Sequence, residues 1–330
     1  MFTRRQLLKR SGYAALGASI PTLLRPAYAQ ATFTPQYIKT FNGLTNGAPY
    51  NENSSMGYAT SGNGYGAFGS TAQTRAGRSS SLELIIQSGT SGDNEAGSSN
   101  NGLWGYEAII PTAIRPGPGT SIWFGVWLFY PNGFNPRTSD GSLKWLRIIN
   151  SQTAQKTDIE LNTNGSSSQV GWLGNEENSG NGPQNPFVEV QASSVLLRPN
   201  QWNYMELQII PTNVPGHCTI RFWCNGLFAF EMVNLTQKWI NSSGGVSTQN
   251  VSNGNYDLNT AAGVLTNFDF ATYWNPPYPS GDQHVYLDSI VMYVGPAAAL
   301  PAVDQFGNRM MGTGAAVTVV PDPPVITSVT

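Results

Sequence analysis

Three stretches of the chain set apolar residues on one side and, on the other, collect groups that can do chemistry. In 202–210, Met205, Leu207 and Ile209 fall on one side and Tyr204, Glu206 and Gln208 on the other. In 218–225, Cys218, Ile220, Phe222 and Cys224 oppose Thr219, Arg221, Trp223 and Asn225. In 284–291, Val285, Leu287 and Val291 oppose His284, Tyr286 and Asp288. If the apolar sides form a core, the other sides share a surface that suits sugars. Aromatic planes stack on the C–H faces of sugar rings, while amides, carboxylates and guanidinium groups bind hydroxyls or uronic carboxylates. The same surface has the parts for abstracting the acidic proton beside a uronate carboxylate. Arg221 or Arg147 would neutralise the carboxylate, and His284, Tyr286 or Tyr204 would take the proton. His284 is the first choice of base because its ordinary pKa of about 6.5 needs the least tuning, whereas a tyrosine needs a positive neighbour. Trp223, Glu206, Gln208, Asn225 and Asp288 are then the substrate-binding set. The plain alternative is a solvated sheet face on which Glu206 and Arg221 form an ordinary cross-strand pair.

The elements that must position these residues are strands. Apolar or aromatic runs recur at 82–87, 103–110, 122–130, 143–149, 202–210, 218–224, 227–233, 264–273 and 284–294, separated by Gly, Asn, Ser and Pro clusters. Only 233–240 offers a short helix. The polar stretches 45–81, 88–102, 162–186 and 241–262 read as surface excursions or binding loops. Pairing the first two alternating strands core to core brings Leu207 opposite Ile220 or Phe222, and Glu206 opposite Arg221 or Trp223. Asn225-Gly226 by itself suggests a two-residue turn that pairs Cys224 with Leu227. That register would place Phe228 and Phe230 beside Arg221 and Trp223, so a three-residue loop pairing Phe222 with Phe228 and Ile220 with Phe230 is expected instead.

With 330 residues, one large β-domain and processed ends account for the length. Charged residues are only 11%, which excludes coiled coils and long surface helices, and 40% hydrophobic residues supply a core. Residues 1–31 hold five of the 17 basic residues and no acid, leaving 12 basic against 19 acidic residues in the remainder. An acidic chain without a basic stripe is a poor partner for nucleic acid or anionic membranes.

Thr3-Arg4-Arg5-Gln6-Leu7-Leu8-Lys9, the apolar run from Ser11 to Leu24 and Ala27-Tyr28-Ala29 read as a twin-arginine export signal with its cleavage site. The run is too short to span a bilayer, which takes ~20 residues. The expected product is periplasmic or secreted, without membrane insertion. The expected organisation is a signal at 1–31, a β-domain at 32–295 and a Pro/Ala-rich tail at 296–330, with Val317–Val320 as a candidate edge strand. Cys218 and Cys224 on one strand would stand about 20 Å apart, too far for a disulfide. Two Cys and two His (His217, His284) without ligand spacing leave zinc and haem sites unsupported, so no cofactor is expected. Calcium in Ser91-Gly92-Asp93-Asn94-Glu95 is the one metal candidate.

Trp202-Asn-Tyr-Met-Glu-Leu-Gln-Ile, Ile220-Arg-Phe-Trp-Cys-Asn-Gly226, Tyr286-Leu-Asp-Ser-Ile-Val-Met-Tyr293 and Ser121-Ile-Trp-Phe-Gly-Val-Trp-Leu-Phe-Tyr130 resemble the concanavalin A-like lectin and glucanase superfamily. The resemblance covers about residues 35–295 and implies an all-β, two-sheet antiparallel jelly roll. With Asp140-Gly-Ser-Leu-Lys144-Trp-Leu-Arg147 it is most similar to polysaccharide-lyase-like members, which implies a polysaccharide partner, an acidic one for a lyase. The glucanase pattern Glu-x-Asp-x-x-Glu is absent, Asp158-Ile-Glu160 being its nearest echo, and Gln283-His284-Val285 has the wrong order for the alginate-lyase motif Gln-(Ile/Val)-His. A retaining glucanase is thereby disfavoured. Three functions remain open: a polysaccharide lyase, a non-catalytic lectin-like module, and a structural surface or appendage protein.

Overall fold

A computed structural model describes residues 33–50, 66–89, 105–134, 137–138, 141–150, 155–163, 170–178, 188–190, 197–212, 219–234, 236–241, 243–250, 265–274 and 281–312. The export-signal segment, the Ser91–Glu95 loop, His217, Cys218 and Val317–Val320 lie outside the described residues. The strands of the first half are β1 (Tyr37–Lys39), β2 (Gly66–Ser70), β3 (Ser81–Ile86), β4 (Tyr106–Ile109), β5 (Ile122–Phe129), β6 (Arg137–Thr138), β7 (Gly141–Asn150), β8 (Gln155–Thr163), β9 (Val170–Asn178) and β10 (Val188–Val190). Those of the second half are β11 (Trp202–Ile210), β12 (Thr219–Cys224), β13 (Leu227–Val233), β14 (Thr236–Ile240), β15 (Val246–Asn250), β16 (Leu265–Trp274), β17 (Gln283–Val294), β18 (Ala302–Val303) and β19 (Arg309–Met310).

These strands form a two-sheet antiparallel β-sandwich of the jelly-roll kind. The ten-stranded sheet runs β15-β14-β13-β12-β11-β5-β17-β3-β2 with β1 added on β17, and the seven-stranded sheet runs β10-β9-β8-β7-β16-β4 with β6 on β7. Their apolar faces meet in one core. Phe124 of β5 stacks on Phe268 of β16 with centroids 4.0 Å apart, and Phe270 packs beside both Phe124 and Tyr106. Burying a side chain of this size is worth about 1.5–3 kcal/mol.

Several local expectations are corrected. Residues 236–240 form strand β14 rather than a helix, and β2, β9 and β15 lie within stretches expected to be loops. Ladder hydrogen bonds to neighbouring strands hold these segments, so a weak apolar pattern did not mark them. The β12–β13 connection is the two-residue turn, with Asn225 at φ 52 and Gly226 at φ 80 and with Cys224 opposite Leu227. A bulge between Phe222 and Trp223 then resets the register, so Phe222 meets Phe230 while Trp223 meets Phe228. That extra residue settles the conflict which had favoured a three-residue loop. Leu207 lies opposite Phe222 and Glu206 opposite Trp223, one of the two registers left open by the alternation.

A second bulge lies in β17, where Ser289 has φ 50 and the pairing with β5 skips from Asp288–Trp127 to Val291–Gly125. Val291 therefore shares the face of Tyr293 rather than that of Leu287, contrary to simple alternation. Gly125 is needed on that face: a Cβ there would lie 2.1 Å from the Tyr204 hydroxyl.

Residues 296–312 are not a tail. They cross the outer face of the ten-stranded sheet as a strap comprising a 3-10 turn (Ala297–Ala299) and the β18–β19 hairpin, with Leu300, Met310 and Met311 buried. The Pro/Ala composition resembles a linker, but these three side chains and the hydrogen bonds described below dock it.

Candidate functional site

Most of the sugar-facing set lies on the outer face of the ten-stranded sheet, as alternation required, but most of that face is closed. Trp223 is 0% exposed and its indole N–H donates to Asp304 Oδ2 at 2.9 Å, so it offers no ring face for stacking. Glu206 is buried and accepts the backbone N–H groups of Met311 and Gly312. Tyr204 is fully buried, and burial and the Glu206 charge push its hydroxyl well above the usual range, which removes it as a base. Gln208 accepts from Arg221 at 2.9 Å, and Arg221 also pairs with Glu231 at 2.7 Å. Asn225 clamps the hairpin, accepting the Tyr204 N–H at 2.8 Å and donating to Asn203 at 3.0 Å. Asp288 is buried against Arg75 at 2.7 Å and Arg78 at 3.6 Å. The strap covers Trp223 and Glu206, the Arg75–Arg78 segment covers Asp288, and cross-strand or hairpin partners hold Gln208, Arg221 and Asn225, on a face that pattern alone leaves solvated.

His284, half-exposed, and Tyr286, buried, sit on the same face. His284 Nδ1 and the Tyr286 hydroxyl both bond Glu83 Oε1, each at 2.9 Å. The hydrogen bond to Glu83 raises the His284 pKa, burial opposing it and the Glu83 and Asp282 charges adding to it. Burial pushes Glu83 up, but its hydrogen bonds from His284, Ser70 and Tyr286 outweigh that and hold it below the ordinary carboxylate value of 4.5. Tyr286 is raised by burial and by the Glu83 charge, so it is a poor base. The sign of the linkage follows. The raised His284 contributes stability that is complete below about pH 6.5 and fades as pH rises through its folded value. The depressed Glu83 contributes above about pH 4.5 and fades as pH falls. An NMR titration of the His284 ring protons should give a midpoint above 6.5, and Glu83→Gln should bring it down; an unchanged midpoint would dissolve the pair.

Arg147 is on the other sheet and cannot share a site with His284. Its neighbours form a row that the sequence reading missed. Asp269 of β16 lies opposite Glu107 of β4 on one side and Arg147 of β7 on the other. Arg147 lies opposite Asp158 of β8, and Asp158 opposite Asn175 of β9. One transverse row of polar and ionisable residues thus crosses five neighbouring strands, about 19 Å at the usual strand spacing. Tyr106, Ala108, Phe268 and Phe270 point into the core, which sends Glu107, Asn267 and Asp269 to the outer side. Asn267 donates to Asp269 at 2.5 Å. Glu107 is part-buried, its Oε2 has no hydrogen-bond partner among the described residues, and burial raises its pKa. Further along, a bulge between Phe270 and Tyr273 puts Tyr273 opposite Lys144. The missed signal was the alternation in Tyr106-Glu107-Ala108 and Asn267-Phe268-Asp269-Phe270, charged or amide residues set between core positions.

No metal cluster of three or more His, Cys, Asp or Glu exists among the described residues, and no helix among them is long and apolar enough to cross a membrane. Cys224 is buried with a free thiol that burial pushes up to about 12.

The sequence matches no family model and no curated protein. Solved structures with a similar fold include an endo-β-1,4-glucuronan lyase from the fungus Trichoderma reesei, at 11% identity and a TM-score of 0.49, covering 79% of this chain and 95% of that one. An alginate lyase from Chlorella virus is similar at 15% identity and a TM-score of 0.43, covering 68% and 88%. The catalytic domain of a glycoside hydrolase family 131 protein from Coprinopsis cinerea is similar at 11% identity and a TM-score of 0.33, covering 73% and 77%. With TM-scores below 0.5 and identities of 11–15%, these likenesses assign no role to this chain's residues.

Proposed function

We propose that the protein is an exported, carbohydrate-active protein of the polysaccharide-lyase kind that cleaves an acidic polysaccharide by β-elimination on the outer face of the seven-stranded sheet. The observation that carries this reading is the row Glu107–Asp269–Arg147–Asp158–Asn175 across five strands, with Tyr273 opposite Lys144 beside it. β-Elimination needs a group that neutralises the uronate carboxylate, a base for the adjacent proton and a donor for the departing oxygen. Arg147 and Asn175 suit the first role. Tyr273 suits the second, because its register position lies opposite Lys144 and a nearby cation would favour the phenolate. Glu107, with its raised carboxyl, suits the third. The acidic remainder of the chain repels a polyanion at long range, so Arg147 and Lys144 must supply the local attraction. Export follows the twin-arginine pattern at Arg4-Arg5, and delivery to the periplasm or the exterior would bring the protein to such polymers.

Incubating the purified protein with a panel of acidic and neutral polysaccharides tests this. Ultraviolet absorbance from unsaturated uronate ends is the expected result, on acidic polymers only. Depletion of a polysaccharide without absorbance would make the protein a lectin-like module. Neither signal would leave the structural surface role.

A further inference from the structure

We propose that the strap at 297–312 is a built-in lid on a second glycan-binding face, carried by the ten-stranded sheet, and that a neutral sugar chain competes with the strap for that face. The strap is a self-contained unit. Asp304 closes its turn by accepting the N–H groups of Phe306 and Asn308, its own N–H donates to the Asn308 carbonyl, and Arg309 donates to the Leu300 carbonyl. None of these bonds involves the sheet, so lifting the strap breaks none of them.

The polar ties between strap and sheet are ones that sugar hydroxyls reproduce. Trp123 Nε1 donates to the Arg309 carbonyl at 3.1 Å, Trp223 Nε1 donates to Asp304 Oδ2 at 2.9 Å, and the two carboxylate oxygens of Glu206 take the consecutive N–H groups of Met311 and Gly312. An indole N–H donates equally to a hydroxyl oxygen, and a carboxylate that accepts two neighbouring N–H groups accepts the two O–H groups of a vicinal diol in the same way. The indole rings themselves suit the C–H faces of a sugar. One group is left unserved by the strap. The Tyr204 hydroxyl lies over Gly125 beside the Met311 side chain, fully buried and with no hydrogen-bond partner among the described residues. A buried donor without a partner is a cost that the docked strap carries and a hydroxyl-bearing ligand relieves.

Charge selects the class of sugar. Arg221 and Lys238 are both paired with Glu231, whereas Glu206 has no ion pair among the described residues. With the strap lifted, the face presents a carboxylate without a counter-ion, which repels a uronate and accepts from neutral hydroxyls. The ligand is therefore a neutral polysaccharide with vicinal hydroxyls, distinct from the acidic polymer assigned to the seven-stranded sheet.

Met310→Asp in the full chain puts a charge on a strap side chain that is only 3% exposed, and should lift the strap. Hydrogen exchange reports the opening at the Met311 and Gly312 amides, with Phe268 and Phe270 of the opposite sheet as the unchanged reference. Binding of a neutral β-glucan or a mannan, read by affinity electrophoresis, should tighten about 10-fold or more over wild type, because a small open fraction weakens the wild-type affinity in proportion. Binding of a polyuronate should not change. Adding Glu206→Gln should remove most of the gain. In the wild type, the same neutral glycans should speed exchange at Met311 and Gly312 by drawing the strap open. A strap shown open by exchange without a gain in neutral-glycan binding would overturn the proposal, as would a gain that survives Glu206→Gln or is shared by polyuronate. If Met310→Asp does not fold or stays docked, the wild type decides: unchanged Met311 and Gly312 exchange with both neutral glycans would equally overturn it. These readouts are separate from unsaturated ends on acidic polymers, which test the β-elimination alone.

Discussion

Trp223→Ala should cost about 3–5 kcal/mol of folding stability, the range for removing a large buried aromatic side chain. The side chain is fully buried between the sheet and the strap, lies opposite Phe228 across the hairpin, and donates to Asp304. Truncation empties a large volume and also frees Asp304 Oδ2 from one of its two donors, the other being Asn308. Urea unfolding should show a lower midpoint with little change in slope, since the surface exposed on unfolding is nearly the same. Trp202→Ala offers the contrast: its ring is only part-buried, against Phe129, and a smaller loss is expected. If Trp223→Ala left stability intact while abolishing polysaccharide binding, the indole would be an exposed stacking platform and the docked strap would be wrong.

On the proposed β-elimination, Tyr273→Phe should lower turnover by about 10²–10⁴, the usual contribution of a positioned base, with polysaccharide binding retained. The change removes one hydroxyl and leaves the ring, so folding should be unaffected. A group that acts only in the transition state lowers kcat and kcat/KM together, whereas a binding contact raises KM alone. Arg147→Ala, by contrast, should weaken binding of acidic polymers far more than of neutral ones, because the guanidinium pairs with a carboxylate. Lys144→Gln should reduce turnover with Tyr273 in place, since it removes the cation opposite the phenol. Full activity in Tyr273→Phe would move the chemistry elsewhere, and His284→Ala would then be the next variant to assay. Retained activity in both would leave neither face with its assigned base.

The sandwich was legible in the chain because its strongest signal is local. Period-two alternation in 202–210 and 218–224 states which side chains are core, and matching core to core limits the β11–β12 register to two choices. Alternation says which residues share a face; it does not say what covers that face. Pattern alone thus leaves Glu206, Trp223 and Asp288 solvated, whereas a strap 106 residues from Glu206 and 81 from Trp223, and an arginine pair more than two hundred from Asp288, cover them. Bulges are similarly invisible in pattern, since a single extra residue at Ala229 or in the Asp288–Val291 stretch reverses the parity of everything beyond it. Arg147 was singled out from the sequence, but its neighbours were not. Asp269, Glu107 and Asp158 come from strands as much as 160 residues apart, and only the pairing of β4, β16, β7 and β8 puts them in one row. Local residue types decided the strands and the core; long-range strand order and the docking of the last segment decided which polar groups of the ten-stranded sheet are closed off from water.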